Sequence, residues 1–259
     1  VFVISELVCV ACVPERPVAC DEKPGKISDM FKALFKNDQA MTVVVSIILV
    51  YTSLNICGNL VLYFFRFDVG NEGAYSIFAA VAFAAQVLVM MVIPLLRKRF
   101  SKSQLFISGF IIQIAGFAVI FIMAFAKLYT PQSWYILCLP GILIYLGYGM
   151  LNVIMTIFLS DSVDYGEVMN GTREESVIFS MQTFTVKLAS GVAVFLAGLV
   201  VDWIHLDTAA AVQTQDTLDA LRMWMTIPSV ILLIVGIFVF KRFYKLDDTR
   251  MEEIKSKLN

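Results

Sequence analysis

Long apolar runs, broken at intervals by short polar links, limit what this chain can fold into more than any other feature. A helix rises 1.5 Å per residue, so crossing a hydrocarbon layer of about 30 Å takes roughly 20 residues. Six runs reach that length, at 42–66, 74–96, 104–126, 134–159, 176–203 and 222–240. Within lipid every backbone N–H and C=O must find its partner inside the chain, so each run reads as a helix. The 259 residues are 59% hydrophobic and 16% charged, whereas soluble domains lie near one half and one quarter. That surplus is concentrated in the runs, which marks membrane spans and not a large water-soluble core. With a net charge of −1, no overall field favours nucleic acid as a partner. The expected fold is all-α, a six-helix membrane bundle without a soluble domain, and the lipid bilayer is its first expected partner.

The ends and the orientation follow from length and charge. Residues 1–13 (VFVISELVCVACV) are apolar but too short to span, and the chain opens on Val. No basic region precedes them and no small-residue cleavage site closes them, which argues against a signal peptide. They are expected to be the tail of a preceding transmembrane helix, so that the chain is part of a longer protein. A cytoplasmic loop over 14–41, a bundle over 42–240 and a cytoplasmic tail over 241–259 complete this division. Arg16, Lys23, Lys26, Lys32, Lys36, the link RKRFSKS at 97–103, Arg173 and six basic residues after 240 give sixteen positive charges on one set of links, against Lys127 alone on the other. The basic set faces the cytoplasm by the positive-inside rule, and Trp134, Trp203 and Trp224 belong to the opposite interface.

Enzyme chemistry finds no support in these residues. Cys9 and Cys12 form a CxxC, but it sits in an apolar stretch with no His nearby, and the chain's one His is His205. The cysteines read as small buried hydrophobes and His205 as an interfacial, structural residue. No carboxylate–His–Ser set, phosphate loop or metal cluster occurs, and no cofactor is expected.

Polar residues inside the runs are where function is expected. Lys187 lies eleven residues into the run that begins at Ser176, too deep to reach the interface easily. An ammonium at mid-bilayer costs about 2.5–3.5 kcal/mol on insertion scales, so it marks either a ligand pathway or an ion pair. No other membrane run supplies an acid for it. Ser180, Thr183, Lys187, Ser190, Gly191, Val194 and Gly198 recur at three- and four-residue steps and share one helix face. Gln182 and Thr183 would supply hydrogen bonds to hydroxyls beside the ammonium. A small-residue helix contact is the alternative for the glycines. Tyr51, Asn55 and Asn59 line one face of the first run, either on a cavity or in interhelical bonds. In the fourth run Tyr145, Tyr148 and Asn152 share a face within GILIYLGYGMLN, whose three glycines suggest a loosened helix of the kind found at transporter sites. Gln86 and Gln113 read as packing residues.

The stretch 160–175, SDSVDYGEVMNGTREE, reads as a cytoplasmic link that is acidic despite its side of the membrane. Asn170–Gly171 predicts a turn, and Thr172 with Glu175 predicts a capping box for the next helix. Asp161, Asp164 and Glu167, at three-residue steps, are left over. Together with Arg173 and Glu175 they are candidate gating residues, pairing with basic groups on moving neighbours.

DSVDYGE, GTREES and MQTFTVKLASG resemble the tenth-to-eleventh helix signature of the glycoside–pentoside–hexuronide:cation symporters, the melibiose-carrier-like branch of the major facilitator superfamily. YFFRFDVGNEG after the first run is similar to the same family, as is the approach to that run. The resemblance covers nearly the whole chain. It implies a twelve-helix protein in two halves, of which this is the C-terminal six-helix half, and a partner in the N-terminal half. It also implies that Lys187, Thr183, Gln182 and Val186 line a central sugar and cation cavity, with Asn152 and Tyr148 on the facing helix. Asp161, Asp164, Glu167, Arg173 and Glu175 match the family's cytoplasmic charged loop. Melibiose-type members carry a Trp where this chain has Asn152, so a glucuronide or pentoside is as plausible a substrate as a galactoside.

The function implied is Na⁺- or H⁺-coupled symport of a sugar or glycoside across the bacterial inner membrane, with the C-terminus cytoplasmic and the coupling-cation site mainly in the other half. A non-transporting scaffold subunit and a carrier of lipid-like substrates are the competing readings.

Overall fold

The computed structural model describes residue 12 and residues 35–171, 175–210 and 212–258. Six long helices and one short one account for most of them. Helix α1 (Asp38–Tyr63) starts where the Asn37 side chain accepts from the Ala40 N–H at 2.9 Å, and it runs on into a π turn, Phe64–Asp68. Helices α2 (Ala74–Leu96) and α3 (Lys102–Phe125) follow, α3 opening on a capping box of Ser101 and Gln104. A 3-10 turn (Trp134–Leu137) leads into α4 (Cys138–Asn170). Then come α5 (Glu175–Trp203), α6 (Gln215–Phe243) and the short α7 (Asp248–Leu258). Six of these are long and apolar enough to cross a membrane.

The expected tail of a preceding helix (1–13, apart from Cys12) and most of the loop 14–41 lie outside the described residues, as do Arg173 and Thr172. Cys57 is buried and Cys138 half-buried, but Cys12 is exposed, against the expectation of burial, because no described element covers it.

Helix α4 corrects the reading of 160–175 as a link. Hydropathy falls at residue 159, yet the helix continues through Asn170 and stops only at Gly171, whose φ of 73° closes it in the left-handed region. Its 33 residues amount to about 50 Å at 1.5 Å per residue, well beyond the hydrocarbon thickness. The last turns, carrying Asp161, Asp164 and Glu167, are therefore a helical projection. Hydropathy reports where lipid ends, whereas a helix ends where its carbonyls are capped.

The glycines of α4 do not loosen it. A Cβ on Gly147 would stand 2.6 Å from both the Gln113 nitrogen and the Gly109 oxygen on α3. One on Gly116 of α3 would stand 2.7 Å from the Ile144 nitrogen of α4. These are backbone-to-backbone crossings of the kind small residues permit in membranes. Gln113 is fully buried at this crossing, as its packing role required. Helix α1 is the centre of the bundle, touching α4, α5 and α6, while α4 packs on α2 and α3. Ser53 on α1 and Ser229 on α6 exchange hydrogen bonds to each other's carbonyls at 3.0 and 2.9 Å. At the end bearing α7, Phe106, Phe158, Phe240 and Tyr244 form an aromatic cluster with ring centres 4.4–5.2 Å apart.

Gly147→Val must push α3 and α4 apart against backbone atoms, and overpacking of this sort costs about 1–3 kcal/mol. Unfolding in detergent is expected to show that loss, and an unchanged midpoint would contradict the close crossing.

Candidate functional site

Three layers of polar groups cross the bundle. The middle one joins α1, α4 and α5. Tyr51 and Asn152 each lie within two residues of the middle of their spans. The Asn152 side-chain N–H donates to the Tyr51 hydroxyl at 2.5 Å. One turn along α4, Thr156 receives the Gln182 side chain of α5 at 3.5 Å. Tyr148 is buried behind the Tyr51 ring, edge-on at 5.5 Å, and Tyr145 backs Tyr148 at 6.4 Å. Asn55 and Asn59 donate to carbonyls four residues back on their own helix, at 2.7 Å each, and so do not bridge helices through those donors.

Helix α5 lays Ile178, Met181, Thr185, Ala189 and Ala193 against its neighbours. Lys187 and Thr183 stand on the side turned away from that stripe and are exposed. Val186 is partly buried between the two faces. Lys187 makes no ion pair or hydrogen bond among the described residues. Gly191 and Gly198, on the same uncovered side, have no atom within 4 Å of where a Cβ would sit. The small-residue contact considered for that face is therefore not made within this chain.

The layer at the α7 end is charged. Lys102, the first residue of α3, pairs with Asp161 of α4, both almost fully buried. Lys102 also lies 3.5 Å from Asp248, which Arg97 reaches at 3.3 Å. The Tyr244 hydroxyl is buried beside this cluster without a hydrogen-bond partner. Burial first, and then the charges of Asp161 and Asp248, hold that phenol well above its ordinary range. Asp164, Glu167 and Glu175 are more exposed than Asp161, and each is engaged in a contact of its own. Burial thus separates Asp161 from the acids it was grouped with. It ties α3, α4 and α7 together.

The layer at the other end was not foreseen. Arg222 of α6 holds Asp68 in a two-pronged bond, Nε at 2.7 Å and Nη2 at 2.5 Å, and its Nη1 meets Asp219 at 2.6 Å. Tyr129 donates to the same Asp68 at 2.7 Å. Its hydroxyl is held above the usual phenol range by burial and by the Asp68 carboxylate. Arg66 and Arg222 fall inside apolar runs and so escaped the count of basic links, although they lie at the same end as Lys127. No local signal announces these pairs, since Asp68 and Arg222 are 154 residues apart and Lys102 and Asp161 are 59 apart.

This layout coincides with a clear relationship to known proteins. The family described as MFS/sugar transport protein matches residues 4–248. The chain belongs to that family. Its bundle is accordingly a six-helix half of the major-facilitator kind, and this sugar-transport-family chain is a multi-pass membrane protein. It is 25% identical to an uncharacterized symporter, YjmB, of Bacillus subtilis, over 97% of this chain and 54% of that protein. It is 24% identical to the raffinose carrier protein of Pediococcus pentosaceus, over 90% of this chain and 35% of the relative. Its identity to the isoprimeverose transporter of Lactiplantibacillus pentosus is also 24%, over 87% and 46% respectively. The family chain thus spans about a third to a half of the length of these relatives.

Asp68→Asn leaves Arg222, with 3% side-chain exposure, facing only the half-exposed Asp219. Removing one partner of a buried pair costs about 3 kcal/mol or more, whereas neutralising both is far milder. Unfolding in detergent is expected to rank Asp68→Asn below the double variant Asp68→Asn/Arg222→Gln. The reverse order would show that the pair does not hold α1 to α6.

Proposed function

We propose that this chain supplies one half of a cation-coupled symporter for a sugar or glycoside, which moves its substrate across the bacterial inner membrane without altering it chemically. The observation that carries the reading is the mid-membrane layer, in a chain of a sugar-transport family. Tyr51, Asn152 and Gln182 offer neutral donors and acceptors suited to hydroxyl groups, and Lys187 is an ammonium at mid-span with no counter-charge among the described residues. A bare ammonium in lipid is costly, and it is retained where it faces an aqueous path or a ligand. Lys187, Thr183, Gln182, Val186, Asn152 and Tyr148 form this half's share of the substrate cavity, Tyr148 by backing it. A second six-helix half completes the cavity across the uncovered side of α5 and carries most of the site for Na⁺ or H⁺.

Gating falls to the projecting end of α4. In this reading Asp164 and Glu167 on that end, with Arg173 and Glu175 beyond it in the sequence, form and break contacts with the other half as the two rock around the midplane, while Asp161 anchors the lever through Lys102. The basic links and tail put this end in the cytoplasm.

The test is uptake into vesicles bearing the full-length protein, with labelled lactose, a xyloside and methyl β-D-glucuronide, with and without a Na⁺ or proton gradient. Gradient-dependent accumulation of at least one sugar is expected. Lys187→Ala is expected to lower it about tenfold or more, and Lys187→Arg less. Flat uptake of every sugar would overturn the symport reading, and full activity of Lys187→Ala would remove the residue from the cavity.

A further inference from the structure

Resting on that reading of the cavity, we propose that Tyr51 is a positioning residue of the sugar site, which holds the Asn152 carboxamide so that it reads two adjacent hydroxyls. A carboxamide has two N–H donors and a carbonyl acceptor. One donor of Asn152 is taken by the Tyr51 hydroxyl at 2.5 Å. Its carbonyl oxygen has no hydrogen-bond partner among the described residues, the Tyr148 hydroxyl stands beside its amide, and the side chain is partly exposed. A donor and an acceptor fixed side by side match a vicinal diol, accepting from one hydroxyl while donating to the next.

Alone, an Asn amide turns easily about its last torsion, which is broad and nearly two-fold. Turning exchanges donor for acceptor and erases any preference for the sense of the diol. The bond to Tyr51 opposes that turn. Tyr51 is itself held in place. Its carbonyl accepts from the Asn55 side chain at 2.7 Å, and its ring meets buried Tyr148 edge-on at an interplanar angle of 76°. The two members stand on different helices, α1 and α4, within two residues of mid-span. Sites built on packed helices keep their geometry better than sites on loops. The proposal therefore concerns recognition. A tie between helices with no such role would affect folding or maximal rate and leave discrimination among sugars untouched.

The experiment uses the full-length protein in vesicles, with labelled lactose and methyl β-D-glucuronide as probes and their monodeoxy analogues as competitors. In the wild type, loss of one of the two read hydroxyls is expected to weaken competition about tenfold or more. Tyr51→Phe keeps the ring and removes the hydroxyl. It is expected to raise the half-saturating concentration about tenfold, hold the maximal rate within about twofold, and bring parent and deoxy sugar within about twofold of each other. Asn152→Ala should do the same, and the double variant should be no worse than Asn152→Ala alone, because the pair acts as one unit.

Retained discrimination in Tyr51→Phe overturns the proposal. So does a fall in maximal rate at unchanged half-saturation, or additive losses in the double variant. If Tyr51→Phe fails to reach the membrane, Asn152→Ala decides through the same loss or retention of discrimination. Uptake by the wild type with an indifferent Tyr51→Phe removes the positioning role alone. Absence of uptake of either sugar by the wild type removes the symport reading for these sugars, and this role with it.

Discussion

Charges inside hydrocarbon have no water to fall back on, and in this bundle the buried ones near its two ends are answered by groups on other helices. Arg222 and Asp68 fasten α6 to the far end of α1. Lys102 and Asp161 fasten α3 to α4 at the opposite end, with Asp248 drawing α7 in beside them. A buried pair adds little net stability over an apolar replacement, but a pair broken on one side is costly. Losing one member of such a pair is therefore what would most disturb the contact between the helices it joins.

Between the two charged ends the bundle is held by shape. Glycines let α3 and α4 approach until backbone meets backbone, and reciprocal serine bonds join α1 to α6. Such contacts fix the helices against one another by backbone shape. The uncovered side of α5, where Lys187 stands, is different: its charge has no ion pair or hydrogen bond among the described residues. The only deep charge without an internal answer among the described residues is thus on a face that the rest of the chain leaves open.

Much of the layout was legible beforehand. The run lengths gave all six spans, because a lipid layer imposes a length and a composition that few other environments demand together. The family was legible in DSVDYGE, GTREES and the stretch around Lys187, since those strings are specific. The limits of α4 were not legible from hydropathy, since the acidic turns after residue 159 look like a link until the cap at Gly171 is seen. The glycines of α4 carried two opposite readings, loosening and close packing, and only the presence of Gly109 and Gln113 opposite them selects the second.

By itself the sequence determined that this chain lies in a membrane, where six spans run among the described residues, and where its deep lysine falls, because each of these depends on local composition and on the rise of a helix. Tertiary structure decided which charges are neutralised and by whom. It made Lys102 a buried strut where the pattern showed a solvated link, and it gave Asn152 the phenol of Tyr51 as a partner. Pairings between residues 59, 101 and 154 positions apart leave no periodic trace. They arise only when packed helices bring distant turns to the same depth.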